Sequence, residues 1–360
     1  MALDAEKRRA VMAARKSIEK KYGNEVIYDT SIVKTYEVIS TGSAVIDDAI
    51  GIKPLSGFPR GRIVEIYGPE ASGKTSICMS AVAQAQKQYP DLMVLYIDTE
   101  QAFDLNYAKK FGVNVEQDVF MFVQPDSAEQ SLQIMREMAA TGAFSLIVLD
   151  SVAAMATDAQ LGKNADEKTM GSLAGVLSPE LAKIKTVLGK TNTTGIFINQ
   201  IREKVSSYGG GETTPGGRSL PYYASLRIRV SKTDVITNGK DVIGQELKID
   251  FKKNKVGTPF RVVTTKLIFG QGFDFESEFV SIAESKGIIK RGGAWYSWVG
   301  MDGNEKEPLK FQGAVRAAQF LKTNPEEFAY IKKLCDEANV GDVELLPEAE
   351  RDLDDDGSED

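Results

Sequence analysis

The feature that most constrains the fold is a glycine-rich segment between an apolar run and a helix-like stretch. Residues 68–75 read Gly-Pro-Glu-Ala-Ser-Gly-Lys-Thr, which fits the pattern G-x-x-x-x-G-K-[ST]. The preceding run, 63–67, is apolar apart from Glu65, and the following stretch, 76–88, has helical character. This order of strand, loop and helix predicts a cradle for the phosphates of a nucleoside triphosphate.

The residues of this segment supply different groups to the predicted site. Inward-pointing backbone N–H groups and the positive end of a helix would hold the phosphates of the nucleoside triphosphate. Lys74 would reach the β- and γ-phosphates, and the Thr75 hydroxyl would hold Mg²⁺. The predicted nucleotide-binding residues are Gly68, Pro69, Glu70, Ala71, Ser72, Gly73, Lys74, Thr75 and Ser76.

Two further apolar runs lead to carboxylates. The run 146–150 ends at Asp150, which has the form of a second magnesium-site residue acting through a water. The run 95–98 is followed closely by Glu100. Because parallel strands deliver their carboxyl ends to one crevice, Glu100 is the candidate for orienting and deprotonating the attacking water. Asp98 is the competing candidate, with a structural role at the strand end as the alternative interpretation.

An amide follows the apolar run 195–199. Gln200 would hydrogen-bond a γ-phosphate and lose that partner after hydrolysis, which makes it a candidate nucleotide sensor. The alternative is that Asn199 and Gln200 only cap the strand. A glycine-rich segment, 203–217, comes next, and another polar segment covers 160–169. Loops of this length inside a compact domain are usually functional or disordered.

The composition narrows the chemistry. The chain has no histidine, which removes imidazole-dependent zinc and triad mechanisms and leaves proton transfer to carboxylates, lysines or water. Two cysteines without metal or redox spacing, no membrane-length apolar run and no secretory leader predict a cytoplasmic protein. The whole net charge of −7 lies in residues 346–360. This acidic tail is predicted to be disordered, and it either solubilises the protein or competes with DNA for a basic surface.

Alternating patterns predict an α/β fold with a mostly parallel central sheet. From residue 225 the pattern changes to period two, which predicts antiparallel strands that extend the sheet. Beyond residues 270–272 a small α/β module contains Trp295 and Trp298, and its last helix is predicted over 326–338. An amphipathic basic helix is predicted near the N-terminus. The predicted strands are 63–67, 92–98, 119–123, 146–150 and 195–199, and the helices between them are 76–88, 127–140 and 179–188.

Several motifs in order give the chain a specific resemblance. They are residues 39–43, 61–70, 148–154, 197–202, 253–255 with 259–260, and 293–297. With these motifs the chain resembles a RecA-type homologous recombinase, from about residue 17 to residue 338. The resemblance implies a RecA-like P-loop ATPase core, 36–271, that contains DNA-binding loops. It also implies an N-terminal oligomerisation helix and linker, 1–35, a small C-terminal domain, 272–345, and the acidic tail.

The resemblance also implies roles for individual residues in ATP hydrolysis. Lys74, Thr75 and Asp150 match the family's phosphate and Mg²⁺ residues. Glu100 matches its catalytic glutamate and Gln200 its nucleotide sensor. Asp104 and Tyr107 match adenine contacts, and Tyr222 matches an aromatic residue at the subunit contact. Lys253 and Lys255 match lysines that reach the γ-phosphate bound by a neighbouring subunit, like an arginine finger supplied in trans.

The two long segments match the family's DNA-binding loops. The implied DNA-binding residues are Met170, Arg202, Val205, Gly216, Gly217 and Arg218. Backbone amides and cations would hold phosphates, which gives binding without a base code. The implied partners are single-stranded DNA, homologous double-stranded DNA and further copies of the chain in a helical filament, with no membrane. Pro215 interrupts a usually threonine-rich stretch, and Asp250 replaces a basic residue of a second DNA site.

Two other functions stay open at this stage. A ring-forming helicase or other DNA motor would share the same core architecture. A small-molecule kinase would explain the phosphate loop but would leave the glycine-rich second loop and the basic N-terminal helix without a role.

Overall fold

The computed structural model describes residues 4–23, 26–27, 36–51, 57–162, 172–203 and 212–338. The chain divides into two compact units, residues 1–36 and residues 37–360. The first unit contains helix α1, Ala5–Tyr22, which forms where the amphipathic pattern predicts it. Arg15 pairs with Glu19 one turn later in this helix, at 2.7 Å.

The second unit is built on a nine-stranded sheet with helices packed against it. Its strand bounds are β1 Val38–Ile39, β2 Phe58–Pro59, β3 Ile63–Gly68, β4 Met93–Asp98, β5 Phe120–Val123, β6 Phe144–Asp150, β7 Thr194–Gln200, β8 Arg202–Glu203, β9 Glu212–Thr213, β10 Leu226–Asn238, β11 Asp241–Asn254, β12 Val262–Ile268, β13 Gly272–Phe273, β14 Lys290–Gly292, β15 Trp295–Trp298 and β16 Leu309–Gln312. Its helix bounds are α2 Ala44–Ile50, α3 Lys74–Gln88, α4 Leu105–Lys110, α5 Ala128–Ala140, α6 Asp158–Leu161, α7 Leu173–Thr191, α8 Ser219–Tyr223, α9 Phe275–Ser285, α10 Ala314–Thr323 and α11 Pro325–Glu337.

The large sheet has the order β13-β12-β11-β10-β3-β7-β6-β4-β5. The six strands from β10 to β5 are parallel, and β11, β12 and β13 continue the sheet as antiparallel strands. Both the parallel core and the antiparallel extension agree with the sequence patterns. The fold is therefore the predicted RecA-like α/β P-loop architecture.

Strand register brings the functional strand ends to one edge. Gly68 at the end of β3 lies opposite Gln200 at the end of β7. Asp98 at the end of β4 lies opposite Asp150 at the end of β6. The central strands are held in place by burial, since every residue of β3 and β6 is buried. Helices α5 and α7 pack on the sheet through Leu132, Leu181 and their neighbours.

The prediction that a helix begins at Pro179 was wrong, because α7 begins at Leu173. The Ser172 side chain accepts a hydrogen bond from the Gly175 N–H and caps the helix two turns before the proline. Burial of Leu177 and Leu181 offsets the backbone hydrogen bond that Pro179 cannot donate. The polar segment 160–169 also differs from the predicted loop at its start, because Gln160 and Leu161 belong to helix α6.

The C-terminal part has its own sheet and core. Strands β14, β15 and β16 form a three-stranded antiparallel sheet. Trp298 packs with Phe311, and its indole N–H donates to Glu327 at 2.9 Å. Helix α11 begins at Pro325, in agreement with the Asn-Pro start signal. In the part of the chain that is described, no helix has the length and apolar character needed to cross a membrane.

A close approach between strands generates a stability prediction. A Cβ atom on Gly244 in β11 would lie 2.4 Å from the Leu267 carbonyl oxygen of β12. We expect Gly244→Ala to lower the free energy of unfolding by about 1–3 kcal/mol, because the strands must separate. The measurement is the midpoint of urea unfolding.

Gly189→Ala is the matched control. Gly189 lies in helix α7, and its nearest neighbour to an added Cβ is 3.8 Å away. Alanine there is expected to stabilise the protein by about 0.5–1 kcal/mol. Equal midpoints for the two variants would contradict the steric argument.

Candidate active site

The phosphate loop is formed by backbone conformations that favour glycine. Gly73 caps α3 at φ 87°, in the left-handed region, and Ala71 also has a positive φ of 54°. Helix α3 then begins at Lys74, so its unpaired N–H groups and positive dipole end face the loop. The loop therefore has the geometry of an anion site at a helix N-terminus.

Lys74 lies inside this loop. Its Nζ donates to the carbonyl oxygens of Gly68 and Pro69, at 3.2 Å and 2.6 Å. The side chain is buried, and desolvation lowers the pKa of Lys74, while the nearby carboxylates of Asp150 and Glu100 act in the opposite direction. The amine is thus partly desolvated and held where the phosphates of a nucleotide would lie.

Asp150 is the buried carboxylate of the site. Its Oδ2 accepts hydrogen bonds from the Thr75 hydroxyl at 2.8 Å and the Tyr96 hydroxyl at 2.7 Å. Burial raises the pKa of Asp150 to about 6, although these two hydrogen bonds lower it. Carboxylate and hydroxyl oxygens are ligands that suit Mg²⁺. The arrangement of Thr75 and Asp150 therefore fits the metal that the sequence predicts.

Glu100 and Gln200 meet beside this pair. Glu100 Oε1 accepts hydrogen bonds from the Gln200 side-chain amide at 3.1 Å and from the Ser151 hydroxyl at 2.5 Å. Glu100 is exposed at the strand-end edge, where water has access to it. A carboxylate in this setting can accept a proton from water while its other contacts fix its orientation.

Asp98 has a different environment from Glu100. It is 2% exposed, and its oxygens accept from the backbone N–H groups of Glu100 and Phe103 and from the Gln124 amide. These three donors occupy the carboxylate and shape the turn that carries Glu100. This environment fits the structural role given to Asp98 as the alternative interpretation.

Asn199 links the nucleotide edge to the second loop. Its Nδ2 donates to the Pro215 carbonyl oxygen at 3.2 Å and to Glu65 Oε1 at 3.3 Å. Its Oδ1 accepts from the backbone N–H of Gln200 at 3.0 Å. One buried side chain therefore contacts the backbone of the candidate sensor and of the candidate DNA-binding loop.

Glu65 anchors this contact from the central strand β3. It is fully buried, and its Oε2 accepts from Arg227 Nε at 2.5 Å. The Arg227 guanidinium also lies over the Tyr67 ring, 4.6 Å from its centroid. Removal of Arg227 would leave the buried Glu65 carboxylate without its partner, which is strongly destabilising.

The described part of the second loop includes a short antiparallel ladder. Arg202 and Thr213 are paired in the short ladder of β8 and β9, and Arg202 and Arg218 are exposed. Gly216 and Gly217 have left-handed φ angles of 84° and 72°. The other two candidates for DNA binding, Met170 and Val205, lie outside the described residues, as does the tail 346–360.

The adenine candidates lie at the start of helix α4. Asp104 caps this helix, since its Oδ1 accepts from the N–H groups of Asn106 and Tyr107 at 2.8 Å and 3.1 Å. The Tyr107 ring makes an edge contact with Phe111. Asp104 therefore has a local capping role, and contact with adenine stays a prediction.

Lys253 and Lys255 lie away from the phosphate loop. Strand β11 runs antiparallel to β10, whose Leu226 lies opposite both Asn254 of β11 and Val64 of β3. The lysines are thus at the amino end of β3, whereas the phosphate loop follows its carboxyl end. Lys253 Nζ donates to Pro221 O at 2.7 Å and to Tyr222 O at 3.0 Å, and desolvation lowers its pKa. Beside them, the Tyr222 side chain is 74% exposed.

Sequence patterns missed four residues that organise the site. Ser151 and Tyr96 were not singled out, because a hydroxyl next to a strand end has no distinctive spacing. Glu65 gave a visible signal, a carboxylate in the middle of an apolar strand, and that signal predicts a buried partner. The partner, Arg227, comes from a strand 162 positions later, and only the fold brings the two together.

Comparison with known proteins gives consistent matches. A family model described as the RecA N-terminal domain matches residues 9–274. The chain is 38% identical over 353 residues to Protein RecA of Enterococcus hirae, covering 97% of this chain and 98% of that protein. It is 39% identical over 344 residues to Protein RecA of Enterococcus faecalis, covering 94% of each chain. It is 41% identical over 331 residues to Protein RecA of Ruminococcus albus, covering 91% of this chain and 79% of that protein.

The raised pKa of Asp150 generates a pH prediction. Burial favours the protonated form in the folded state, so ionisation costs stability as pH rises from about 4 to about 6. This loss of folding stability is absent below pH 3.8, the pKa of the unfolded state, and complete above about pH 6. We expect Asp150→Asn to gain stability relative to the parent across this window, by up to about 3 kcal/mol. Urea unfolding at several pH values measures the difference.

Asp158→Asn, which changes an exposed carboxylate in α6, is the control for this series. The difference between the Asp150→Asn variant and its parent should change with pH more than the corresponding difference for the control. Parallel pH profiles for Asp150→Asn and its parent would contradict the assignment.

Proposed function

The chain belongs to the RecA family, and on that premise we propose that it assembles on single-stranded DNA as a helical filament. It would then pair the strand with homologous double-stranded DNA and catalyse strand exchange, at the expense of ATP. Family membership confirms the sequence prediction of a recombinase and DNA-dependent ATPase in recombination and repair. The cytoplasm as its location is part of the proposal.

One observation supports the proposed coupling between ATP hydrolysis and DNA binding. Asn199 and Gln200 are consecutive, and Gln200 contacts Glu100 while Asn199 contacts the Pro215 carbonyl of the second loop. A change in the hydrogen-bond partners of the Gln200 side chain therefore acts on the backbone at residues 199 and 200. The Asn199 side chain joins this backbone to the second loop. This short connection between the candidate nucleotide sensor and the candidate DNA-binding loop supports the proposed coupling.

We assign the hydrolytic roles from the contacts at the strand ends. Glu100 orients water and accepts its proton, Lys74 binds the phosphates, and Gln200 senses the γ-phosphate. Thr75 and Asp150 would hold Mg²⁺, which supplies neutralisation of the charge that develops on the phosphate oxygens. Asp104 and Tyr107 would position the adenine, and residues 68–76 would surround the phosphates.

Lys253 and Lys255 are assigned to the active site of a neighbouring copy. They lie at the edge of the sheet opposite to the phosphate loop of their own chain. Cations from this edge reach a phosphate only through assembly, so hydrolysis would depend on filament formation. Residues 1–35 would add an oligomerisation helix, followed by the ATPase core 36–271, the C-terminal domain 272–345 and the tail 346–360.

The DNA-binding assignment covers both loops. Arg202, Arg218 and the N–H groups of Gly216 and Gly217 would hold backbone phosphates, and Met170 and Val205 would wedge between bases. Such contacts are independent of base identity. Sequence is then compared by base pairing between the bound strand and the incoming duplex.

The first functional prediction concerns ATP turnover. Single-stranded DNA is expected to stimulate ATP hydrolysis strongly, because ordering of the loops acts on Gln200. Lys74→Ala is expected to lower kcat by about 10²–10³, because a buried cation no longer positions the phosphates. Phosphate release with and without an oligonucleotide measures both effects.

Three outcomes separate the alternatives. An ATPase rate independent of DNA would contradict the proposed coupling. Closed rings that unwind duplex, seen by electron microscopy and a strand-separation assay, would favour the ring motor over open filaments. A phosphorylated small product formed without DNA would favour a kinase.

The second functional prediction tests the connection through Asn199. Asn199→Ala removes the hydrogen bonds to Pro215 and Glu65 but no proposed phosphate contact. We expect the DNA-stimulated rate to fall several-fold more than the rate without DNA, since couplings of this kind are about 1–3 kcal/mol. Gln133→Ala, which changes an amide on helix α5, is the control. An equal fall in both rates would assign Asn199 to folding alone.

A further inference from the structure

A tyrosine hydroxyl contacts the buried carboxylate of the candidate metal site. Tyr96 is the fourth residue of strand β4, and it is 1% exposed. Its hydroxyl donates to Asp150 Oδ2 at 2.7 Å, and the same oxygen accepts from the Thr75 hydroxyl at 2.8 Å. Tyr96 therefore touches the carboxylate assigned to Mg²⁺ from the protein interior.

The strand register explains why this hydroxyl reaches Asp150. In the parallel pairing of β4 with β6, Tyr96 lies opposite Val148 and Asp98 lies opposite Asp150. Side chains two positions apart on a strand project from the same face, so Tyr96 shares a face with Asp150 and lies two residues before the strand end. A phenolic side chain spans this offset and carries a hydroxyl at its tip. Phenylalanine at the same position would fill the space but would donate no hydrogen bond.

The Tyr96 ring is held by an aromatic cluster. Its centroid lies 4.3 Å from that of Phe103. The Phe103 ring in turn lies 6.1 Å from Phe120 and 5.1 Å from Phe122, both on the neighbouring strand β5. Side chains in a closely packed interior are confined to few rotamers. Packing therefore sets the position of the Tyr96 hydroxyl relative to Asp150.

The protons of two hydroxyl groups are directed at one carboxylate oxygen. An ionised carboxylate only accepts hydrogen bonds, whereas a hydroxyl has one proton and two lone pairs. Because the Thr75 proton points to Asp150, the lone pairs of the Thr75 oxygen stay available to a metal ion. The second hydrogen bond, from Tyr96, holds the carboxylate in the orientation that Thr75 requires.

We propose that Tyr96 is a positioning residue for Mg²⁺ and its nucleotide. Its hydroxyl fixes the Asp150 carboxylate, and through it the Thr75 hydroxyl, in the arrangement that holds the metal. This inference rests on the proposed function, which assigns Mg²⁺ to Thr75 and Asp150. Groups that hydrogen-bond a metal ligand typically account for about 10–100-fold of metal affinity or activity. Because Tyr96 acts through Asp150, the phosphate contacts of Lys74 are expected to be independent of it.

The test measures how nucleotide binding by the full chain depends on Mg²⁺. The variant is Tyr96→Phe, which keeps the ring and removes the hydroxyl. The probe is a fluorescent, non-hydrolysable ATP analogue, and its anisotropy is followed as Mg²⁺ is added. We expect the Mg²⁺ concentration at half-maximal binding to rise about 10-fold, because the carboxylate is no longer held in place. In EDTA the variant and the parent should bind the analogue equally, since the phosphate loop is unchanged.

Tyr89→Phe is the matched control. The Tyr89 hydroxyl donates to the Val38 carbonyl oxygen at 3.0 Å, and Tyr89 lies at the end of α3 opposite to the phosphate loop. The same chemical change there removes one hydrogen bond without touching Asp150, so the Mg²⁺ midpoint should stay at the parent value. A Tyr96→Phe midpoint equal to that of the control would overturn the proposal. An equal loss of binding with and without Mg²⁺ would also overturn it.

A double-mutant cycle tests whether Tyr96 acts through Asp150. In an Asp150→Asn background, Tyr96→Phe should change the Mg²⁺ midpoint little further, because the carboxylate that Tyr96 positions is absent. A second shift as large as the first would show an independent effect and contradict the proposed role.

A second variant keeps the test decisive if Tyr96→Phe does not fold. Phe103→Leu keeps the Tyr96 hydroxyl but removes an aromatic contact of its ring. We expect a smaller rise of the Mg²⁺ midpoint in the same direction, and an unchanged midpoint would count against the proposal. Circular dichroism and urea unfolding check the fold of each variant.

The parent protein separates failure of this inference from failure of the proposed function. If DNA stimulates ATP hydrolysis and Mg²⁺ strengthens analogue binding by the parent, an unchanged midpoint for Tyr96→Phe removes the role of Tyr96 and leaves the proposed function standing. If analogue binding by the parent is independent of Mg²⁺, the metal assignment to Thr75 and Asp150 fails, and the role of Tyr96 fails with it.

Discussion

The register of the parallel strands is the constraint on which the candidate active site depends. Because β3, β7, β6 and β4 run in the same direction, their carboxyl ends share one edge of the sheet. That edge brings the phosphate loop, Asp150, Glu100 and Gln200 together from distant parts of the sequence. A shift of one residue in one strand would move its side chains to the other face, so burial of the strands also fixes the chemistry.

Buried polar contacts give this edge its connections. Hydroxyl groups of Thr75 and Tyr96 hold Asp150, and the Ser151 hydroxyl holds Glu100. Next to Gln200, Asn199 joins strand β7 to the second loop through the Pro215 carbonyl. Asn199 also donates to Glu65, which in turn pairs with Arg227. Hydrogen bonds in a low-dielectric interior are strong and costly to break. Nucleotide-dependent changes at one group are therefore expected to affect the others.

Much of this arrangement was predictable from local patterns, but the pairing between distant elements was not. The phosphate loop, the strand before it and the change to antiparallel strands each follow from spacing within about ten residues. The start of α7 was misassigned because Pro179 is a strong local signal, whereas the cap at Ser172 and the burial of Leu177 decide the outcome. The contact of Glu65 with Arg227, and the β-bulge at Lys252 in strand β11, depend on strand pairing that no single-segment pattern contains.

The location of Lys253 and Lys255 has a consequence for symmetry. One surface of the molecule presents these lysines, and a different surface presents the phosphate loop. A contact that joins the two surfaces is head-to-tail, so it leaves a free surface of each kind and permits open-ended growth. The two ends of such a polymer are chemically different. At one end, no neighbouring subunit supplies lysines to the phosphate loop. At the other end, Lys253 and Lys255 have no neighbouring nucleotide to contact. In the proposed filament, directional growth and loss of subunits would follow from this asymmetry.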